Sequence, residues 1–181
     1  MAKLTVGELM PDFTYETPFA KDLILSETVG RAKKTALLFL RYYGCTLCQY
    51  DIHQLQARHG DLTARGGQVL VVLQSDPRRL AEELKTPEAL PFPLICDPEG
   101  MLYRQFSIEP AANKAQLADM KVMAKIAKAA AAGFKHGAYE GDELQLPAAF
   151  VLTPERELTY VRYAKSAGDM PEAEELAELL A

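Results

Sequence analysis

Two cysteines three residues apart lie where a predicted strand gives way to a predicted helix, and this junction constrains the fold more than any other part of the chain. The apolar run Thr35–Leu40 is typical of a buried strand, and from Cys48 onward apolar residues recur at helical spacing. Cys45 and Cys48 therefore fall in the first turn of a helix. At this spacing the two sulfur atoms can form a small disulfide ring, and the helix N-terminus favours a thiolate. The pair predicts thiol redox chemistry.

Composition excludes several other classes of protein. The chain has 181 residues, enough for one domain with a full hydrophobic core. Its formal net charge of −5 and the lack of a basic, aromatic-rich patch argue against a nucleic-acid or anionic-membrane partner. We see no segment typical of a membrane span and no signal peptide. With three cysteines, we expect a reduced cytoplasmic protein, in which a Cys-x-x-Cys pair is catalytic or metal-binding rather than structural.

Strands and helices alternate along the chain, which predicts an α/β fold with a mixed central sheet flanked by helices. Further strands are predicted at residues 68–74, 92–96, 148–152 and 158–163, the last two as a hairpin. Helices are predicted at about 46–64, from Pro77 onward, at 102–106 and at 173–180. Because there is no internal repeat and no linker, we expect residues 1–181 to form a single domain.

Residues 109–145, called the insertion segment from here on, interrupt this alternation before the late hairpin. Asn113 to Ala132 is rich in alanine and lysine and predicts a helix. We expect a solvated stripe formed by Lys121, Lys125 and Lys128, with apolar faces formed by Leu117, Met120, Met123 and Ile126. The alternative is a lid or an oligomer contact beside the active site.

Four short motifs occur in an order that carries more weight than any one of them. They are Val6-Gly7 with Pro11-Asp12-Phe13, the Cys45–Cys48 turn, Phe92-Pro93-Leu94 with Asp97-Pro98-Glu99-Gly100, and Gln145-Leu146-Pro147 leading into the strand at 148–152. Together they resemble the thioredoxin-like superfamily in its peroxiredoxin-like (AhpC/TSA) branch, and in pattern the peroxiredoxin-like 2 proteins. The resemblance covers nearly the whole chain. It implies a thioredoxin-like fold with a helical insertion before the late hairpin.

This resemblance leaves two alignments of the cysteines open. The peroxiredoxin pattern P-x-x-x-[ST]-x-x-C makes Cys48 the attacking cysteine, but Arg41 then stands in place of the proline and Cys45 in place of the hydroxyl residue. The thioredoxin pattern makes Cys45 the attacking cysteine and places Pro147 where a cis-proline faces the dithiol. The late strand favours the second alignment, because Pro147 occupies the slot in which peroxiredoxins carry an arginine. Arg41 is a candidate for the replacement cation.

The function implied by the resemblance is reduction of hydroperoxides by a Cys45/Cys48 centre that cycles between dithiol and disulfide. Arg41, Tyr43, Thr46 and Pro147 are the predicted supporting residues. No bound cofactor is implied, the expected reductant is of the thioredoxin or glutathione type, and a homodimer is compatible with the pattern. The alternatives are a protein-disulfide reductase and a non-catalytic interaction or metal-binding module.

A metal site is not predicted, because a tetrahedral zinc site needs four ligands. The remaining candidates, Cys96 and the three histidines, show no second paired spacing. Cys96 ends a predicted strand, and we expect it to be a small buried apolar residue rather than a remote resolving thiol.

Overall fold

A seven-stranded mixed sheet lies at the centre of the molecule, and the predicted fold class is confirmed. The structure, a computed structural model, describes residues 2–181. The strands are β1 (Thr14–Thr17), β2 (Ala20–Ile24), β3 (Lys34–Phe39), β4 (Gly67–Leu73), β5 (Leu94–Cys96), β6 (Ala148–Leu152) and β7 (Leu158–Tyr163). Their order is β2-β1-β5-β4-β3-β6-β7. Strands β3, β4 and β5 run parallel, whereas β6 pairs antiparallel with both β3 and β7.

Helices cover both faces of this sheet. They are α1 (Leu25–Val29), α2 (Thr46–Ala57), α3 (His59–Thr63), α4 (Pro77–Leu84), α5 (Met101–Gln105), α6 (Lys114–Leu117), α7 (Met120–Ala131) and α8 (Ala173–Leu179), with a 3₁₀ turn at Pro87–Ala89. Alternate residues of β3 enter opposite cores. Leu38 packs with α2, α3 and α8, while Phe39 packs with α1 and α5. Burial on both faces explains why the central strands read as continuous apolar runs.

The helix predicted over 46–64 is two helices rather than one. Arg58 leaves helical geometry, with φ −104° and ψ 12°, and its Nε donates to Asp61 Oδ2 at 2.7 Å. This break re-aims the chain, so that α3 packs against β4 and α8.

The N-terminal hairpin β1–β2 and helix α1 are not among the elements predicted from the sequence. These elements are four, five and five residues long, and β2 has no buried residue. A strand with no buried face shows no apolar alternation in the sequence, which is why the pattern missed it.

The insertion segment also departs from the prediction, because its long helix is divided into α6 and α7. Asp119 caps α7 by accepting a hydrogen bond from the Val122 N–H at 2.9 Å. A carboxylate that satisfies the free amides of a first turn starts a new helix at that point.

Helix α7 is rotated relative to the expected orientation: Lys121 and Lys128 are exposed as predicted, but Lys125 is not. Lys125 is 7% exposed and its Nζ lies 2.7 Å from Asp51 Oδ1 on α2, so the prediction of a solvated lysine stripe is wrong at this residue. Met120, Met123 and Ile126, expected on apolar faces, are instead exposed, Met120 to 90%. The buried face holds Val122 and Ala129 beside Lys125, so apolar packing and the ion pair with α2 are both consistent with this rotation.

Candidate active site

The Cys-x-x-Cys turn lies at the C-terminal end of β3, where it opens helix α2. Cys45 is the N-cap of α2, with φ −63° and ψ 125°, and its Sγ accepts a hydrogen bond from the Cys48 N–H at 3.4 Å. Both cysteines are buried and are in the free thiol form. A sulfur at this position receives the unpaired amides and the positive end of the helix dipole, both of which stabilise a thiolate.

Arg41, in the loop between β3 and α2, donates hydrogen bonds to both sulfur atoms. Its Nη2 donates to Cys45 Sγ at 3.1 Å, and its backbone N–H donates to Cys48 Sγ at 3.4 Å. The side chain is largely buried. A guanidinium shielded from water next to a sulfur favours the charged form of that sulfur.

The two thiols are shifted in opposite directions. A hydrogen bond from the Cys48 thiol lowers the pKa of Cys45; burial opposes this, while the Arg41 charge and hydrogen bond lower the pKa further. Burial raises the pKa of Cys48, and its hydrogen bond to Cys45 and the Cys45 charge add to that rise. The arrangement therefore favours a thiolate at Cys45 and a protonated thiol at Cys48.

Most of the predicted site residues line one small cavity of about 10 Å³. Its lining includes Cys45, Cys48, Arg41 and Pro147, together with Asp51 and Gln145. This volume has room for about one water molecule. Thr46 begins α2 beside Cys45 but does not line the cavity. Tyr43 does not line the cavity either. Its backbone N–H donates to Ser75 Oγ at 2.9 Å, and its half-buried side chain packs against the hydrophobic core that lies between the sheet and α2.

The cis-proline implied by the resemblance is not found. No cis peptide bond occurs within residues 2–181, so Pro147 is trans. The Leu146 carbonyl that precedes it accepts a hydrogen bond from the buried Gln145 Nε2 at 3.0 Å, which holds this peptide in its observed orientation. The Pro147 carbonyl accepts from the Ala164 N–H at 3.1 Å.

Comparison with known proteins identifies the family. The chain matches the AhpC/TSA family over residues 6–161. It belongs to the AhpC/TSA family. No curated protein sequence matches the chain.

Solved structures that resemble this AhpC/TSA chain share its fold at low sequence identity. Peroxidoxin BcpB from Mycobacterium tuberculosis is 13% identical with a TM-score of 0.64, and the match covers 97% of this chain and 92% of that one. A peroxiredoxin-like protein from Aquifex aeolicus is 13% identical with a TM-score of 0.66, covering 99% and 88%. A yeast mitochondrial 1-Cys peroxiredoxin is 11% identical with a TM-score of 0.66, covering 98% and 75%. Identities this low carry evidence for the fold alone.

Three residues that lie near the dithiol of this AhpC/TSA protein were not among the predicted site residues: Tyr42, His136 and Glu143. The buried Tyr42 hydroxyl donates to Glu143 Oε1 at 2.6 Å and lies 2.9 Å from His136 Nε2. Arg41 Nη1 donates to the Glu143 carbonyl. Burial and the bond to Glu143 raise the pKa of Tyr42. No local motif marks this cluster, since Glu143 follows Arg41 and Tyr42 by about one hundred residues in the chain.

A second unpredicted contact joins Asp51, one turn beyond Cys48 on α2, to Lys125 on α7. Burial raises the pKa of Asp51, although the Lys125 charge opposes it. Burial lowers the pKa of Lys125, but the Asp51 charge and hydrogen bond outweigh it, so that this pKa is raised. The contact between the two side chains ties the active-site helix to the insertion segment.

Cys96 lies apart from the dithiol cavity, buried on β5 as expected. Burial and nearby carboxylates raise its pKa to about 12. Across residues 2–181, no cluster of three or more His, Cys, Asp or Glu side chains has the geometry to hold a metal ion. No helix in the same range is long and apolar enough to cross a membrane.

Proposed function

We propose that this AhpC/TSA protein reduces hydroperoxides, with Cys45 as the attacking sulfur and Cys48 as the resolving sulfur. The observation that carries the proposal is the Arg41 guanidinium 3.1 Å from Cys45 Sγ at the N-cap of α2. Nucleophilic sulfur must be a thiolate, and these contacts favour the thiolate at Cys45 alone. Membership of the AhpC/TSA family supports the same reaction class.

The first step is attack of the Cys45 thiolate on the terminal peroxide oxygen. The sulfur–oxygen bond forms as the O–O bond breaks, giving the sulfenic acid of Cys45 and, after uptake of one proton, an alcohol or water. Arg41 is then positioned to stabilise the negative charge that develops on the leaving oxygen, because its guanidinium already donates to the sulfur under attack.

The second step closes the disulfide. Cys48 loses its proton and attacks the sulfur of the sulfenic acid, so that one water molecule leaves and the Cys45–Cys48 bond forms. Cys48 is held for this step by the Arg41 N–H and by its place in the first turn of α2. The disulfide must then receive two electrons and two protons from an external thiol.

A thioredoxin- or glutathione-type reductant is the proposed source of these electrons. The yeast 1-Cys peroxiredoxin of the same fold is described as resolved through glutathione and thioredoxin systems. A reducing compartment such as the cytoplasm suits a dithiol that must be regenerated. Assembly into a homodimer stays a prediction, and sedimentation equilibrium of the reduced protein tests it.

Protein-disulfide reduction is the second candidate, favoured by Pro147 beside the dithiol. Burial of both sulfur atoms weighs against it, because a disulfide on another protein must contact Cys45 Sγ directly. A small hydroperoxide faces a lower steric demand, and it is therefore the substrate class that we propose.

Rapid mixing with one equivalent of hydrogen peroxide tests the proposed function. Thiol loss is expected to be fast in reduced wild type, in Cys48→Ser and in the matched control Cys96→Ser. Cys45→Ser is expected to lose thiols no faster than a free cysteine. Slow loss in the wild type would reject peroxide as substrate, and fast loss that persists in Cys45→Ser but disappears in Cys48→Ser would reverse the two roles.

A further inference from the structure

A strap from the insertion segment, residues 134–143, lies directly over the active-site turn. The Gly137 N–H donates to the Gly44 carbonyl at 2.8 Å, and Gln49 Nε2 on α2 donates to the Lys135 carbonyl at 2.9 Å. The strap thus contacts the residue that precedes Cys45 in the chain.

The strap fits this turn only because residue 44 is glycine. A Cβ atom at Gly44 would lie 2.8 Å from the Ala138 nitrogen and 2.9 Å from the Gly137 carbonyl carbon, with the Ala138 carbonyl oxygen closer still. The backbone of Gly44 is not in the left-handed region, so an alanine there meets no conformational strain of its own. The close approach of the strap is therefore what excludes a side chain.

Two side chains of the strap fasten it to the residue after Arg41. Glu143 accepts a hydrogen bond from the Tyr42 hydroxyl at 2.6 Å, and His136 lies 2.9 Å from the same hydroxyl. Tyr139 stacks on His136 with ring centroids 4.0 Å apart. Tyr42 is thus the shared anchor for both ends of the strap.

In the closed form, the Cys45 sulfur is not accessible to a large substrate. Cys45 is 1% exposed, and the adjoining cavity has a volume of only about 10 Å³. No strap residue lines this cavity, but the strap covers Gly44, the residue that precedes Cys45, so a hydroperoxide that approaches past Gly44 must displace it. The residues from Lys135 to Tyr139 are exposed, so this part of the strap has few buried apolar side chains of its own to release on opening. Segments with few buried apolar contacts open locally far more often than the protein unfolds.

We propose that the strap, seated on Gly44 and fastened to Tyr42, determines which hydroperoxides react with Cys45. Hydrogen peroxide needs only a small local opening, whereas bulky organic hydroperoxides react only through the fraction of molecules in which the strap is displaced. This inference rests on the proposed peroxidase function and names its specificity element. A substrate that needs the open form reacts at a rate scaled by the population of that form.

Gly44→Ala is the variant that displaces the strap without altering either cysteine. Its matched control is Gly60→Ala on α3, where a Cβ meets nothing within 4 Å. Second-order rate constants for cumene hydroperoxide and for hydrogen peroxide are measured on reduced protein, and their ratio is compared. The ratio cancels any change in the reactivity of Cys45 itself.

The ratio is expected to rise about tenfold or more in Gly44→Ala and to stay at the wild-type value in Gly60→Ala. Hydrogen exchange at the Gly137 amide reports directly on strap opening, since this amide donates to Gly44. Faster exchange with an unchanged ratio would overturn the proposal. If Gly44→Ala does not fold, Tyr42→Phe replaces it, keeping the ring and losing the anchoring hydroxyl, and the same two outcomes apply.

A separate probe distinguishes failure of this inference from failure of the proposed function. If wild type does not react with either peroxide, the peroxidase function is rejected. Alkylation of Cys45 by iodoacetamide and by N-phenylmaleimide, located by peptide mass spectrometry, then tests the strap alone. Selective acceleration of the larger reagent in Gly44→Ala supports the gate, and equal acceleration of both reagents rejects it.

Discussion

The central sheet and the insertion segment achieve burial by different means. In β3, each apolar residue is buried because both faces of the sheet are covered, so the strand follows its own hydrophobic pattern. In α7, the buried face contains Lys125, while Met120 and Met123 point outward. The helix is oriented by a charge on another helix as well as by its own buried residues Val122 and Ala129.

In the insertion segment, contacts with the active-site helix and its turn decide which residues are buried, in addition to the segment's own apolar pattern. The Lys125 ammonium lies 2.7 Å from Asp51, one turn along α2 from Cys48. The strap that follows α7 contacts Gly44 through Gly137. Both halves of the segment are thus fixed by the active-site helix and its preceding turn. The sheet provides the buried core, whereas we propose that the insertion segment shapes access to the sulfur atoms.

The largest expected effect lies in the sheet. Phe150 on β6 packs edge-on against Phe39 at 5.8 Å and Tyr163 at 5.6 Å between ring centroids. Phe150→Ala is expected to lower the free energy of unfolding by about 3–5 kcal/mol, because it removes a buried aromatic ring and leaves a cavity. Urea denaturation of the reduced protein measures this. A loss below about 1 kcal/mol would show that the sheet core is not the main source of stability.

The next effect concerns the ion pair that orients α7. Lys125→Ala leaves Asp51 without its counter-charge and is expected to cost about 2–3 kcal/mol, less than for a fully buried pair because Asp51 keeps 18% side-chain exposure. Lys121→Ala, on the exposed side of the same helix, is the control and is expected to change stability by less than about 0.5 kcal/mol. Equal effects of the two substitutions would contradict the observed orientation of α7.

Arg41→Gln measures how much the guanidinium stabilises the Cys45 thiolate. Because the thiolate is the reacting form and the pKa of Cys45 is lowered, the alkylation rate of Cys45 is expected to reach its plateau at a lower pH than that of a free thiol. Loss of the Arg41 charge is expected to raise the Cys45 pKa by about 1 unit and to slow alkylation about tenfold at pH values below both midpoints. Iodoacetamide kinetics across pH measure the shift. Arg104→Gln, which removes an exposed arginine on α5, is expected to leave the profile in place.

The smallest effect is expected on the outer face of α7. Met123→Lys is expected to change the free energy of unfolding by less than about 0.5 kcal/mol, because this side chain is already 59% exposed. The same urea titration provides the value. A cost above about 2 kcal/mol would mean that the apolar face is packed after all.

The sequence predicted the sheet well because each central strand carries its own signal. Both strands of the late hairpin, Ala148–Leu152 and Leu158–Tyr163, were predicted with the bounds that the structure has. The strand–dithiol–helix junction was equally readable, since a buried run, two cysteines and a helical repeat are all local. What remained hidden were contacts made between distant parts of the chain.

Tyr42 and Glu143 illustrate the hidden part of the site. Their hydrogen bond joins residues 101 positions apart, and neither lies in a motif. The contact between Asp51 and Lys125 spans 74 positions, and a lysine in a polar stripe signals solvent unless a buried partner is known. Arg41 was recognised as a candidate cation, but the hydrogen bond from its guanidinium to Cys45 Sγ depends on a side-chain rotamer that no pattern encodes.

Trapping of the sulfenic acid in Cys48→Ser identifies which cysteine attacks the peroxide. Without Cys48, the oxidised sulfur cannot form the Cys45–Cys48 disulfide, and a cyclic dione added with one equivalent of hydrogen peroxide captures it. Peptide mass spectrometry is predicted to place the adduct on Cys45, with Cys96 unmodified. An adduct on Cys96, or none under conditions that oxidise the wild type to the disulfide, would contradict Cys45 as the attacking sulfur.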